Sequence, residues 1–216
     1  MKKLTIIGAG GFGREVKEVV DVINEQEPTW EFVGFYDDSP EFTETIEGDQ
    51  VLGTIDDLCA LEEKPYVVIA IANVNARKMI ARKCEEAGCQ FATIIHPNFV
   101  IRGKIHTIGE GTIICGECNI AVNSHIGKHC ILNTCTYLGH DTVVGDFVDL
   151  MPCTQIMGDV TVGDYCYLGV RTTVINGLSI VAHTTVGACG CVVKPITVPG
   201  TYVGVPVKMI KPYIEG

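Results

Sequence analysis

The sequence lacks any apolar run near the roughly 18 residues that a membrane-spanning helix needs. Its opening, MKKLTIIGAGGFG, ends its apolar run in glycines too early for a secretory signal. It also lacks a basic run, and its net charge is −10, which argues against a nucleic-acid partner. Only 19% of residues are charged while 47% are hydrophobic, which predicts a folded core. We therefore expect a cytoplasmic protein without membrane or nucleic-acid partners.

Cysteine, in contrast, is abundant, with eleven residues in the chain. Because the count is odd and no export signal precedes it, we predict reduced thiols rather than disulfides. Cys115 and Cys118 form a CxxC pair, but no second CxxC or suitably spaced histidine pair accompanies it. We therefore predict no metal site, and we assign packing roles to this pair and to Cys189 and Cys191.

A six-residue repeat fills the second half of the chain. Fifteen positions at steps of six are all Ile, Leu or Val: Ile108, Ile114, Ile120, Ile126, Leu132, Leu138, Val144, Leu150, Ile156, Val162, Leu168, Val174, Ile180, Val186 and Val192. Neither a helix, with its period near 3.6, nor a strand, with its period near 2, explains a strict period of six. The repeat predicts one short strand and one turn every six residues, with three such faces in each coil of a triangular prism.

Two further slots of the repeat are restricted. Four residues after each aliphatic position the side chain is mostly small, for example Thr112, Cys118, Cys130 and Cys166. Glycine recurs directly after the aliphatic position, where we expect a turn to require permissive backbone angles. These glycines are Gly109, Gly127, Gly139, Gly145, Gly163, Gly169 and Gly187.

The first half carries the pattern of a nucleotide site. A predicted strand over 3–8 leads into GAGGFG, which matches G-x-G-x-x-G at Gly8, Gly10 and Gly13. Helical spacing follows over 14–24, and then a second strand, FVGFYDD, ends in Asp37 and Asp38. Glycines let a backbone approach phosphate, a helix N-terminus supplies amide donors, and an acid can bind a ribose or base. This order predicts a Rossmann-like unit that binds a nucleotide-like ligand.

A third strand is predicted over 66–73, followed by a helix over 76–87 that Gly88 suits as a C-terminal cap. A full dinucleotide fold needs two such halves, so the short first domain argues against a dehydrogenase. We place the domain boundary between residues 95 and 96, with the nucleotide-sugar-binding unit at 1–95 and the β-helix at 96–216.

The combination resembles the family of sialic-acid O-acetyltransferases and nucleotide-aminosugar N-acetyltransferases. The matching motifs are GAGGFGREV, FYDD, AIAN, IIHPN, ILNTCTYLGHD and GVPVKMI, so the resemblance covers nearly the whole chain. It implies an α/β Rossmann-like N-terminal domain followed by a left-handed parallel β-helix that forms a homotrimer. It also implies acetyl-CoA as cosubstrate, a nucleotide-sugar substrate and no metal.

The resemblance implies roles for single residues. Its catalytic histidine and following acid fall on His140 and Asp141, an asparagine on Asn133, and a backbone amide for the acetyl carbonyl on Gly158. An imidazole can take the proton of an attacking amine, and a backbone N–H can stabilise the oxyanion. The implied nucleotide-sugar contacts are Gly10, Gly11, Phe12, Gly13, Asp37, Asp38 and Asn73. The implied acetyl-CoA contacts are Gly158, Gly169, Gly187, Ala188, Val205, Pro206 and Lys208.

Two positions depart from the family pattern, and they leave the acceptor open. Ala72 replaces a usual glycine, and Asp149 stands where a second histidine often occurs. The leading hypothesis is N-acetylation of a nucleotide-linked amino sugar with His140 as general base. The alternatives are O-acetylation of sialic acid or a related sugar hydroxyl, and a non-catalytic nucleotide-binding trimeric scaffold.

Overall fold

The chain folds into two compact units, Met1–Pro97 and Asn98–Gly216. A computed structural model describes residues 1–42, 45–46, 48–104 and 106–214. Within these residues no helix has the length and apolar character needed to cross a bilayer.

The first unit is an α/β layer structure built on one sheet. Its strands run in the order β3-β4-β2-β1-β5-β6, and every neighbouring pair is parallel except β3 and β4. The elements of this unit are β1 (Lys2–Ile7), α1 (Gly11–Gln26), β2 (Trp30–Tyr36), β3 (Thr45–Ile46), β4 (Asp49–Gly53), α2 (Ile55–Ala60), β5 (Tyr66–Ile69), α3 (Val74–Glu86), β6 (Gln90–Phe91) and β7 (Ile94–Ile95). After β1 the chain adds β2 on one side of it and β5 on the other. The carboxyl ends of β1 and β5 therefore form the topological switch point where parallel sheets bind ligands, which confirms the Rossmann-like prediction.

Several boundaries in this unit differ from the prediction. The predicted third strand reaches Asn73, but β5 ends at Ile69. Asn73 instead caps α3, where its side chain accepts the Ala76 N–H at 2.9 Å. Helix α2 and the β3–β4 hairpin were not predicted. Helix α2 is short, but Thr54 and Asp57 form a reciprocal capping box at its start.

The second unit is a parallel β-helix. Its strands are β8 (Val100–Ile101), β9 (His106–Ile108), β10 (Ile113–Ile114), β11 (Asn119–Ile120), β12 (Ser124–Ile126), β13 (Ile131–Leu132), β14 (Tyr137–Leu138), β15 (Val143–Val144), β16 (Asp149–Leu150), β17 (Gln155–Ile156), β18 (Thr161–Val162), β19 (Tyr167–Leu168), β20 (Thr173–Val174), β21 (Ser179–Ile180), β22 (Thr184–Val186), β23 (Cys191–Val192), β24 (Gly200–Val203) and β25 (Lys208–Pro212). They stack into three sheets, which contain β10-β13-β16-β19-β22-β24, β8-β11-β14-β17-β20-β23 and β9-β12-β15-β18-β21. Strand β25 extends the first sheet by antiparallel pairing with β24. From β9 to β23 the register pairs each residue with the one 18 positions later, as Ile113 with Ile131. The spacing is 19 between β8 and β11 and 16 between β22 and β24. The predicted fold class is confirmed.

The interior follows the two restricted slots of the repeat. The aliphatic positions from Ile114 to Val192 are buried, and only Ile108, on the first coil, is half-buried. The small slot is also buried, and its hydroxyls and thiols donate to corner carbonyls. Thr136 Oγ1 lies 2.7 Å and Cys118 Sγ 3.2 Å from the carbonyl oxygen of Asn133. The small slot therefore adds side-chain donors to the carbonyls at the corners, so that buried polar groups of the slot are hydrogen-bonded.

These contacts confirm the packing prediction for most of the cysteines in the repeat. Burial raises the pKa of Cys118 to about 11 and that of Cys166 to about 12, so both stay protonated at neutral pH. Cys115 is buried as well. The prediction is wrong for Cys189, which lies at a turn with φ of 58° and is exposed in the protomer.

The predicted reason for the recurring glycines is also wrong. The left-handed turn position falls two residues later and is occupied by twelve non-glycine residues with φ between 52° and 61°. The glycines are needed because successive coils approach closely. A Cβ on Gly127 would lie 2.6 Å from the carbonyl carbon of Gly145, and one on Gly169 would lie 2.7 Å from the Ala188 nitrogen.

The turns stack into three corners with different side chains. We call 121–123, 139–141 and 157–159 the histidine corner, and 133–135, 151–153, 169–171 and 187–189 the glycine corner. The third, aromatic corner carries a continuous ring stack of His129, Phe147, Tyr165, His183 and Tyr213, with centroids 4.4 to 5.5 Å apart. His129 has the left-handed turn conformation and is nevertheless only 1% exposed.

Candidate active site

The second unit carries a histidine–aspartate pair on the histidine corner. His140 follows β14, and its Nδ1 lies 2.8 Å from Oδ2 of Asp141. Hydrogen bonds from Asn123 first and His140 second hold the pKa of Asp141 below its usual range. An ionised carboxylate at Nδ1 favours the imidazole form that carries its proton there. Nε2 is then the nitrogen able to accept a proton.

Gly158 lies directly against the imidazole of His140, one coil further along the same corner. A Cβ on Gly158 would lie 2.6 Å from Cε1 and 2.8 Å from Cδ2 of that ring, and closer still to Nε2. Only glycine leaves space for the ring in this position. The structure thus brings three predicted catalytic residues together, with the backbone of Gly158 beside the basic nitrogen.

Asn123 is part of this cluster and was missed by sequence reasoning. Its Nδ2 donates to Oδ1 of Asp141 at 2.6 Å, so each carboxylate oxygen has its own partner. The two residues are 18 apart, which is one coil. Counting one coil back from Asp141 is the sequence signal that could have found it.

Asn133, the fourth predicted catalytic residue, lies on the glycine corner. Its Oδ1 accepts the backbone N–H of Thr134 at 2.7 Å. Gly169 lies on the same corner two coils further along, and Gly187 and Ala188 lie three coils further along. The predicted catalytic and acetyl-CoA residues therefore divide between two corners of the prism.

The closing segment borders a separate cavity of about 230 Å³. Pro206 and Lys208 line it together with Lys194 and Tyr202, while Val205 is 75% exposed. Two lysines beside an open, partly apolar cavity can bind phosphate groups next to a hydrophobic surface.

The glycine-rich turn of the first unit divides into structural and open positions. A Cβ on Gly13 would overlap the carbonyl oxygen of Gly8, and Gly8 itself has φ of 104° and approaches the Ala70 carbonyl. In contrast, a Cβ on Gly10 would meet nothing within 4 Å, and one on Gly11 only the tip of Arg14 at 3.9 Å. Gly8 and Gly13 are thus required by packing, whereas Gly10 and Gly11 leave the backbone open to a ligand.

The N-terminus of α1 has the electrostatics of an anion site. Its N-cap is Gly10, which provides no side-chain cap, and its first turn, which includes Phe12, has no acidic residue. Helix N-termini with uncapped amides favour phosphate.

Asp37 and Asp38, which were predicted to contact the nucleotide sugar, also form hydrogen bonds that hold nearby loops. Asp37 accepts the N–H of Ala9 at 2.7 Å and that of Ser39 at 2.8 Å. Asp38 accepts the N–H of Ile55 at 2.8 Å, at the start of α2. Both aspartates line a cavity of about 210 Å³. They therefore tie the glycine-rich turn and α2 to the end of β2 while bordering open space.

The two departures from the family pattern occupy different environments. Ala72 is exposed beyond β5, whereas Asp149 is buried on β16. Burial, together with the charge of Asp149, raises the pKa of its strand neighbour Tyr167.

Three cysteines of the first unit, Cys59, Cys84 and Cys89, have sulfur atoms within 4.8 Å of one another. Burial first, and the neighbouring thiols second, raise the pKa of Cys84 and Cys89. The cluster therefore favours protonated thiols.

Comparison with known proteins gives one match to the first unit by itself and another to a longer stretch of the chain. Residues 3–84 match the family described as the PglD N-terminal domain. Over 144 residues the chain is 34% identical to GDP-perosamine N-acetyltransferase of Escherichia coli O157:H7, a stretch that is 66% of this chain and 64% of that protein. The chain thus spans just under two thirds of this curated relative.

Solved structures match over more of the length. PerB from Caulobacter crescentus, in complex with CoA and GDP-perosamine, is 30% identical with a TM-score of 0.84, and the match covers 97% of both chains. The acetyltransferase domain of PglB from Neisseria gonorrhoeae, in complex with acetyl coenzyme A, is 26% identical with a TM-score of 0.89. That match covers 97% of this chain and 99% of the domain.

The β-helix of six-residue repeats, preceded here by a Rossmann-like unit, places the chain in the hexapeptide-repeat acyltransferase class. Within this class the chain belongs to the nucleotide-aminosugar N-acetyltransferase family.

Proposed function

We propose that this protein transfers the acetyl group of acetyl-CoA to the amine of a nucleotide-linked amino sugar. The observation that carries the proposal is the His140 imidazole, which packs on Gly158 and has its Nδ1 2.8 Å from the Asp141 carboxylate. The names of the relatives support the same reaction, since the E. coli relative is a GDP-perosamine N-acetyltransferase.

The geometry supports direct transfer with His140 as general base. The sugar amine attacks the thioester carbonyl, and Nε2 of His140 takes the proton that the amine loses. The carbonyl oxygen gains negative charge as the C–N bond forms, and the backbone N–H of Gly158 is the donor we assign to it. The C–S bond then breaks, and the CoA thiolate leaves and takes the proton that the His140 imidazolium holds, which regenerates the base. Asp141 stabilises the imidazolium that forms in between.

The division of site residues between two corners supports a site shared by neighbouring chains. A triangular prism keeps its corners apart, so one chain cannot bring Asn133 and the glycine corner to His140. A second copy can present its glycine corner to the histidine corner of the first. We therefore propose a homotrimer of C3 symmetry with acetyl-CoA bound between adjacent β-helices. Within this arrangement Gly169, Gly187 and Ala188 line the pantetheine path, and Lys208 with Pro206 binds the phosphate end.

We assign the nucleotide sugar to the switch point of the first unit. The open backbone at Gly10 and Gly11 and the uncapped start of α1 suit a diphosphate. Asp37, Asp38 and Asn73 border this region and are the candidates for ribose or base contacts. The eleven free cysteines support a cytoplasmic location, because thiols persist in a reducing compartment.

The proposal is tested by mixing the purified protein with acetyl-CoA and a panel of UDP- and GDP-linked amino sugars. Each amino sugar is paired with the same nucleotide sugar carrying a hydroxyl in place of the amine. We expect free CoA thiol to be released with at least one amine and not with its hydroxyl partner. Release with hydroxyl sugars alone would establish O-acetylation instead, and no release across the panel would contradict the proposal.

A further inference from the structure

We propose that Asn123 is a positioning residue that fixes the Asp141 carboxylate and, through it, the proton-accepting orientation of His140. This inference rests on the proposed function for its catalytic consequence, whereas the orientation itself can be measured without substrate. Asn123 belongs to none of the motifs that carry the family resemblance.

The first step of the argument is the stacking of equivalent turns. Asn123 and Asp141 both adopt the left-handed conformation, with φ of 57° and 58°. The backbone N–H of Asp141 donates to the carbonyl of Val122 at 3.0 Å, which locks the two turns together. Consecutive coils therefore hold the two side chains in register, and the contact does not depend on a flexible loop.

The second step is the pairing of both carboxylate oxygens. Oδ1 of Asp141 accepts from Asn123 at 2.6 Å, and Oδ2 faces His140 Nδ1 at 2.8 Å. The side chains of His140 and Asp141 are 63% and 51% exposed. An exposed carboxylate held on one side only would rotate and exchange its partner for water. The amide of Asn123 removes that freedom, because it fixes the plane of the carboxylate.

The third step concerns the ring. Gly158 packs against the imidazole and limits where it can lie, while Asp141 selects the nitrogen that carries the proton. If the carboxylate rotates, the neutral imidazole can place its proton on Nε2 instead, and that form cannot accept a proton from the amine. Asn123 therefore raises the fraction of protein molecules in which Nε2 of His140 is able to accept a proton.

The test uses Asn123→Gly, because glycine adopts positive φ without cost and removes only the amide. Glu117→Gly is the matched control for folding and for the His140 spectrum, since Glu117 is an exposed turn residue with φ of 60° on a different corner from His140. Thermal midpoints establish that both variants remain folded. Two readouts follow: steady-state kinetics with the best amino sugar of the panel, and ¹⁵N NMR of the His140 ring in the substrate-free protein, assigned with a His140→Gln sample.

We expect Asn123→Gly to lower kcat by about five- to tenfold, the effect of one lost hydrogen bond, with KM for both substrates changed less than about twofold. The His140 spectrum should change from the Nδ1-protonated form to a mixture of both neutral forms. Glu117→Gly should match the wild type in its thermal midpoint and its His140 spectrum.

An unchanged His140 spectrum in Asn123→Gly would overturn the proposal. So would an unchanged kcat in a protein that turns over an amino sugar. The spectral change would support the positioning role even if no sugar of the panel were acetylated, so failure of the reaction and failure of the inference remain distinguishable.

Discussion

The two units of the protein combine structure and function in opposite ways. In the β-helix, stability rests on the buried aliphatic and small slots, while the candidate catalytic groups His140 and Asp141 project from a turn into solvent. In the α/β unit, the same residues both hold loops and border the candidate ligand site, as Asp37 does by accepting two backbone N–H groups. Substitutions in the β-helix site should therefore change activity alone. In the α/β unit, substitutions of residues that also hold the structure together should change stability and activity together.

The largest effect expected in the α/β unit is that of Gly13→Ala. Its Cβ would overlap the Gly8 carbonyl, so α1 must move away from β1, and we expect about 3 kcal/mol of lost stability. Urea unfolding measures this loss. Gly10→Ala is the matched control, because its Cβ meets nothing, and it should fold normally but raise the KM for the nucleotide sugar. Equal unfolding midpoints for the two variants would contradict the division of the glycine motif.

The corresponding substitution in the β-helix site is Gly158→Ala. The new Cβ would displace the His140 ring, and a displacement of about 1 Å can cost on the order of 100-fold in rate. We expect kcat to fall by about that factor while the thermal midpoint stays near that of the wild type, because the exposed ring can swing into solvent. A loss of stability as large as that of Gly13→Ala would erase the proposed difference between the units.

A smaller difference in stability is expected between substitutions of the two adjacent aspartates. Asp37→Asn keeps the shape but loses one acceptor for a backbone N–H, at a cost of about 2 kcal/mol. Asp38→Asn keeps an oxygen able to accept the single N–H of Ile55 and should be nearly neutral. Thermal unfolding compares the two variants. If Asp37→Asn is as stable as the wild type, the loop-holding role of Asp37 is wrong.

Much of the fold was predictable because its causes are local and repeated. The period of six placed the interior aliphatic residues and the small slot, and the strand, turn and helix pattern placed the Rossmann-like unit. The role of the glycines was not predictable from one coil, since their need arises from contact with the next coil. Helix α2 was missed because it is short, although Thr54 and Asp57 carry its capping signal.

The residues of the candidate site were predictable only in part. His140, Asp141 and Gly158 come together as the family resemblance implied, because they lie on one corner of adjacent coils. Asn123 was missed because it lies outside the family motifs, and only the predicted coil length of 18 residues relates it to Asp141. The assignments of Asn133, the glycine corner and Lys208 stay predictions, since they depend on ligands and on a second chain.

The central claim is that an imidazole on a turn of the β-helix performs proton transfer without supporting the fold. It is tested most directly by the kcat of His140→Ala at saturating acetyl-CoA and amino sugar, measured beside its thermal midpoint. We predict a fall in kcat of about 100-fold or more, the usual loss for a general base, with an unchanged midpoint. A variant that retains near-wild-type kcat would contradict the account.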